Sequence, residues 1–253
     1  RPPRSTLFPY TTLFRSSIIN PSVQLIRGSA YKTEQDIKSK IANYTTVILL
    51  ANLAGKTGLA IAPVVSEICK ESDKNLISFV IMPFKYEKDR IFNSGISLKR
   101  LRTDSKCTVV LDNDALLESN PDLNPRSCYN IADSAIMHVI ASIKDSEIAP
   151  ETNILATSKD NKQNLEESLK DALKMLYDSA PASRVKRSIL YVSGGNNIPV
   201  GIINSVANLS RGILEKSNSQ IDVAVNSAEE PKVVMLSSIQ GMTKFDKYDP
   251  LGM

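Results

Sequence analysis

Apolar positions along the chain fall into two spacings that alternate. Thr46 to Leu53 is a continuous β-branched and aliphatic run, the pattern of a strand buried on both faces of a parallel sheet. A glycine-containing turn follows, and then a helix over about Ala60 to Lys70. It carries Val64, Val65 and Ile68 at helical spacing, with Pro63 expected in its first turn, where a missing N–H is harmless. A second buried strand is predicted over Leu76 to Met82, then a polar helix to about Arg102 and a third strand over Cys107 to Leu111. Strands alternating with helices specify an α/β fold, doubly wound.

Between about Pro125 and Ser146 the residues Ile131, Ala135, Ile136, Val139, Ile140 and Ile143 recur every three to four positions and describe one long helix. A new domain is expected after it, in the order strand 153–157, helix 164–177, strand 187–192, helix 199–215, and paired strands 220–225 and 232–239. The first of these helices is marked by Asn164 with Glu167 as a capping box, by Leu165, Leu169, Leu173 and Leu176 on one face, and by Pro181 beyond its end. The tail Lys244 to Met253 is polar and short, with no amphipathic anchor.

Composition changes this picture at one end. Residues 1–16, RPPRSTLFPYTTLFRS, show neither helical nor strand periodicity and resemble a translated sequencing adapter; they are set aside as artefactual, a transit peptide being the competing reading. The net charge of +4 includes Arg1, Arg4 and Arg15. Without them 28 basic residues face 27 acidic ones, so there is no electrostatic footprint for nucleic acid or anionic lipid. No apolar run reaches the roughly 18 residues of a spanning helix, which argues against membrane insertion. Cys69, Cys107 and Cys128 form no CxxC pair and are expected as reduced core residues of a cytoplasmic protein. The single histidine, His138, has no second histidine to share a metal and is expected in a structural or surface role.

The segment AGKTGLA, Ala54 to Ala60, joins a buried strand to a helix N-terminus, where unpaired N–H groups and the helix dipole favour a phosphate. Gly55-Lys56-Thr57 spells part of a Walker A motif, but Leu50 stands where that motif needs its first glycine. A merely tight strand-to-helix turn is the plainer alternative.

Its company makes the segment more specific. ANLAGKTGLAIAP (Ala51 to Pro63) is similar to the AGMGGGTGTGAAP stretch of the FtsZ branch of the tubulin superfamily. PFKYE (Pro83 to Glu87) resembles that family's PFxFE, NDALL (Asn113 to Leu117) its NDxLL, and CYNIAD (Cys128 to Asp133) its AFxxAD, all in the family's order. ILYVSGGNNIP (Ile189 to Pro199) resembles its later strand and glycine turn. The resemblance spans about Thr46 to Gly241.

That resemblance implies a partial Rossmann-like GTP-binding domain over 17–146 with a long central helix, an α+β domain with a mixed four-stranded sheet over 147–245, and a tail from 246. It implies GTP or GDP as ligand, with Mg2+ as a candidate companion, and head-to-tail self-association in cell division or cell shape. Ala54, Gly55, Lys56, Thr57 and Gly58 would meet the phosphates, Glu87 the ribose, with Arg90 beside it. Asn113 would help read the nucleotide, Tyr129 would stack on the guanine, and Asp133 would take its N1 and N2 protons.

Several positions depart from the family. Ala54, Lys56, Leu59 and Ala60 replace two glycines, a threonine and a glycine, which degrades the cradle; Lys56 could compensate with its charge. The family's hydrolytic NxDFADV loop has no counterpart in KDSEIAPETN (Lys144 to Asn153), whose Asp145, Glu147 and Glu151 read more simply as a solvated linker. The family's first strand and first glycine loop are also missing, so the chain is read as truncated at its N-terminus. Weakened or absent hydrolysis is expected, with an active GTPase using relocated carboxylates or a nucleotide-independent scaffold as alternatives.

Overall fold

The computed structural model describes residues 20–143, 148, 150–158, 165–193, 200–214, 220–226 and 232–248. Three parallel strands, β1 (Thr46–Asn52), β2 (Asn75–Met82) and β3 (Cys107–Asp112), are joined by helices α3 (Lys56–Glu71) and α4 (Lys88–Asp104). Pairing Asn52 with Ile81 and Met82 with Asp112 brings the carboxyl ends of all three strands to one edge. β3 is buried along its whole length, as a continuous apolar strand between two helical layers should be.

Two helices before β1, α1 (Val23–Lys32) and α2 (Glu34–Ile41), have no counterpart in the sequence reading. Buried Ala30 of α1 packs with Ala60, Ile61, Val64 and Ile68 of α3, and Ile37 and Ile41 of α2 close over the same patch. β1 is an edge strand among the described residues. Its outer side, with Ile48 and Leu50 exposed, opens on a groove of 410 Å³ between α2 and α3.

α3 begins one turn earlier than its apolar pattern predicts, so Pro63 lies in the helix interior and not in its first turn. Proline has no N–H for the carbonyl four residues back. That carbonyl, Leu59 O, instead accepts from Arg27 Nη2 of α1 and from Ser97 Oγ of α4, each at 3.3 Å. The break in the helical ladder is thus covered by two neighbouring helices.

α5 (Asn113–Ser119) and the long α6 (Pro125–Ser142) follow β3; Asn124 caps α6 by accepting from Ser127 N at 2.9 Å. Then come β4 (Thr152–Thr157), α7 (Leu165–Ser179), β5 (Val185–Ser193), α8 (Val200–Leu214), β6 (Gln220–Asn226) and β7 (Lys232–Ile239). β4, β7, β5 and β6 form the expected mixed four-stranded sheet. It is continuous with the first three strands, in the order β1-β2-β3-β4-β7-β5-β6, through parallel pairing of Thr108, Val109 and Val110 with Thr152, Asn153 and Ile154.

Two expectations change here. The last two strands do not pair with each other, because the crossover through α8 lays β6 parallel to β5, and β7 fills the slot between β4 and β5, antiparallel to both. The polar tail also does not begin at residue 246. Lys244–Tyr248 is a 3₁₀ turn with Phe245 buried, packed on α4 so closely that a Cβ on Gly95 would lie 2.7 Å from Tyr248 Cβ. The cap residue Asn164 and the glycine turn at 194–199 lie outside the described residues.

All three cysteines are free and buried. His138 is half-buried on α6, its ring edge-on to that of buried Tyr191 at 6.1 Å. Among the described residues no helix is long and apolar enough to cross a membrane.

Candidate functional site

The turn after β1 is built around Asn52. Its side-chain Oδ1 accepts from Ala54 N at 2.9 Å, and its carbonyl accepts from Gly55 N at 3.1 Å. α3 then rises directly over that carbonyl, and a Cβ on Gly58 would lie 2.0 Å from Asn52 O, so only glycine fits there. Gly55 is the N-cap, with extended backbone and no side chain to offer. The first N–H of this helix to find a helical carbonyl is that of Leu59, donating to Gly55 O at 3.0 Å. The N–H groups of Lys56, Thr57 and Gly58 are therefore the unpaired donors of the first turn, at the positive end of the helix dipole.

The loop after β2 reaches across to this turn. Arg90 Nη1 donates to Ala54 O and to Glu87 Oε1, both at 2.7 Å, while Glu87 Oε2 accepts from Phe84 N at 3.2 Å. Tyr129 of α6 stands edge-on to Phe84, with ring centroids 5.8 Å apart. Burial pushes the Tyr129 phenol above its usual pKa and the Glu87 carboxylate adds to this, against a hydrogen bond with the Asn52 side chain. Strand end, loop and central helix therefore meet at Asn52, a residue the sequence reading did not single out. Its place at the last position of a buried strand, just before the glycine turn, was the available signal.

The third strand contributes Asn113, the first residue of α5. It is fully buried, and neither its Nδ2 nor its Oδ1 has a hydrogen-bond partner. Asp112 caps the helix through Oδ1, which accepts from Asp114 N at 3.1 Å. Asp114 in turn accepts from Lys85 N at 3.1 Å, tying the post-β2 loop to the start of α5.

Ala54, Gly55, Glu87, Arg90 and Tyr129 are thus brought together around Asn52, with Thr57 and Gly58 on the first turn of α3 and Asn113 at the next strand end but one. Lys56 is turned elsewhere: its Nζ lies 2.6 Å from Asn20 Oδ1. Asp133, one helical turn beyond Tyr129, is exposed, and desolvation raises its pKa. Asp145 and Glu147 fall outside the described residues. Glu151 lines a polar hollow beside Arg102, Lys106 and Thr108, at the amino ends of β3 and β4, far along the strands from Asn113. No group of His, Cys, Asp and Glu able to hold a metal occurs among the described residues.

Unpaired helix amides, an aromatic ring and a buried free amide on the carboxyl edge of parallel strands define the class: an open α/β protein with a ligand edge of the kind that takes phosphate-bearing molecules. Residues 23–121 match the family model described as "Tubulin/FtsZ family, GTPase domain". That match, and the similarity to archaeal FtsZ proteins below, agree with the family that the motifs resemble. The chain is 30% identical over 118 residues to cell division protein FtsZ 1 of Thermococcus kodakarensis, covering 46% of this chain and 32% of that protein. To FtsZ of Haloferax mediterranei it is 25% identical over 218 residues, 79% of this chain and 56% of the relative. It therefore spans between about a third and somewhat over half of those relatives. In fold it is similar to an empty FtsZ dimer of M. jannaschii, with TM-score 0.67, 20% identity and coverage of 86% of this chain and 70% of that one. It is also similar to a GTPγS-bound protofilament of CetZ2 from Haloferax volcanii, with TM-score 0.65, 14% identity and coverage of 91% and 78%.

Proposed function

We propose that the protein is a cytoplasmic cytoskeletal subunit that binds GTP or GDP at the carboxyl edge of β1 to β3 and stacks head to tail into filaments, with weakened or absent hydrolysis. The observation that carries this is Asn113: a fully buried amide with both polar atoms unpartnered stands at the carboxyl end of β3, on the same sheet edge as the first turn of α3. A buried polar group without a partner costs about 1–3 kcal/mol, which a ligand hydrogen bond would recover. In this reading the amides of Lys56, Thr57 and Gly58 meet phosphate, Glu87 accepts from the ribose, and Tyr129 and Asp133 meet the base.

A bound nucleotide would supply phosphate charge at this edge, and the N–H groups of Lys56, Thr57 and Gly58 would hold it. This chain's own part is to bind and orient it: Arg90 donates to the Ala54 carbonyl, and Asn52 holds the turn closed. The Lys56 ammonium donates to Asn20, just ahead of α1, while its backbone N–H belongs to the first turn of α3. A nucleotide-independent scaffold is the second reading, favoured by side chains at Ala54, Lys56, Leu59 and Ala60 where the resemblance expects glycine or threonine.

Equilibrium binding of a fluorescent GDP analogue separates the two, followed by sedimentation and phosphate release under polymerising conditions. Binding by the wild type with about tenfold loss in Asn113→Ala, about one hydrogen bond's worth, is the expected result. Wild-type protein that sediments as filaments without binding nucleotide leaves only the scaffold.

A further inference from the structure

The 3₁₀ turn Lys244–Tyr248 follows the last strand, yet its contacts lie with the first half of the chain and with α7. Lys244 Nζ is ion-paired with both Asp112, at the end of β3, and Asp178, near the end of α7. The Asp112 side chain is 0% exposed and that of Lys244 is 19% exposed, so the pair sits in the interior. Asp112 does two things at once: Oδ2 meets Lys244, and Oδ1 caps α5 at Asp114 N. Between the strand end and that cap lies Asn113, whose buried amide has no other hydrogen bond to orient it.

The rest of the turn is fastened independently. Arg102 Nη1 of α4 donates to Asp246 Oδ1 at 2.7 Å and its Nη2 to Thr243 Oγ1 at 3.0 Å, while Thr243 N donates to Asp246 Oδ2 at 2.6 Å. Tyr248 covers Gly95, where no side chain could stand.

We infer that Lys244 is a positioning residue for the nucleotide site: through Asp112 it fixes the start of α5, and with it the Asn113 amide, so that nucleotide binding and docking of the 243–248 turn favour one another. This rests on the nucleotide reading above. An isolated buried carboxylate is costly: burial raises the pKa of Asp112, and the Lys244 ammonium beside it opposes that rise. Without Lys244 the carboxyl would take up a proton or draw water, and either change loosens the cap that sets Asn113. Coupling of this kind is reciprocal, so the nucleotide must protect the turn by as much as the turn improves affinity.

Two measurements test it. Hydrogen exchange of wild-type protein with and without GDP reads the amides of residues 243–248, and slowing by about fivefold or more on binding is expected. Titration of the fluorescent GDP analogue into Lys244→Met should show affinity about five- to tenfold weaker, with Lys244→Arg restoring most of it. Asp178→Asn, which leaves the Lys244–Asp112 pair in place, should change affinity little. Wild-type binding with unchanged exchange over 243–248 overturns the coupling, and this holds even where Lys244→Met does not fold. Undiminished affinity in a folded Lys244→Met overturns it as well. A wild type that binds no nucleotide overturns the nucleotide reading first, and the coupling with it.

Discussion

Among single residues, His138 has the most direct consequence in solution. Its pKa is lowered, first by burial and then by the charge of Lys232. A histidine whose folded pKa lies below its unfolded value of about 6.5 binds fewer protons when folded, so the unfolded state gains as acid is added. Stability should be flat above neutral pH and decline as pH falls through about 6.5. In His138→Phe, which keeps an aromatic edge against Tyr191, the urea midpoint should lose that part of its slope between pH 7 and 5. An equal slope in wild type and variant would place the titration elsewhere. His138 was legible as structural from its isolation in the sequence. Its ring partner was not, because Tyr191 lies more than fifty positions away and only the packing of α6 against the sheet brings the two together.

At the scale of elements, α3 shows both what pattern reasoning reaches and where it stops. The strand–turn–helix order and the glycine turn were readable from Ala51 to Pro63, and so was the value of a helix start for phosphate. The true first turn was not, since Lys56, Thr57 and Gly58 offer no apolar periodicity, and Pro63 biases a reader toward a later start. Tertiary bonds from Arg27 and Ser97 to Leu59 O supply the missing term, and neither is local. Removing one of them should matter more while the proline is present. Arg27→Met is expected to cost about 1 kcal/mol by denaturant unfolding, and less in a Pro63→Ala background where Leu59 O regains a helical donor. Strict additivity of the two changes would contradict this account. Helices α1 and α2 escaped notice because α2 has few apolar residues, and what holds both is a patch on α3.

For the whole molecule, the order of strands was the least legible feature. Each strand was found, but β6 and β7, neighbours in sequence, are separated in space by β5, and nothing local encodes that. Among the described residues β1 also has an open side, which appears only in three dimensions. TVILLAN is uncharged and lacks proline, and unpaired apolar edges are sites of aberrant association. Ile48→Lys should therefore lower light scattering on prolonged incubation at 37 °C while leaving the melting temperature within a few degrees; unchanged scattering would clear this edge of blame. A last consequence concerns load. The parallel half and the mixed half of the sheet are sewn together by three residue pairs, Thr108–Thr152, Val109–Asn153 and Val110–Ile154, whereas β4 and β7 share six. A molecule tugged from opposite ends would part along that short stitch before either half came undone, leaving the Lys244–Asp112 and Arg102–Asp246 pairs as tethers across the tear.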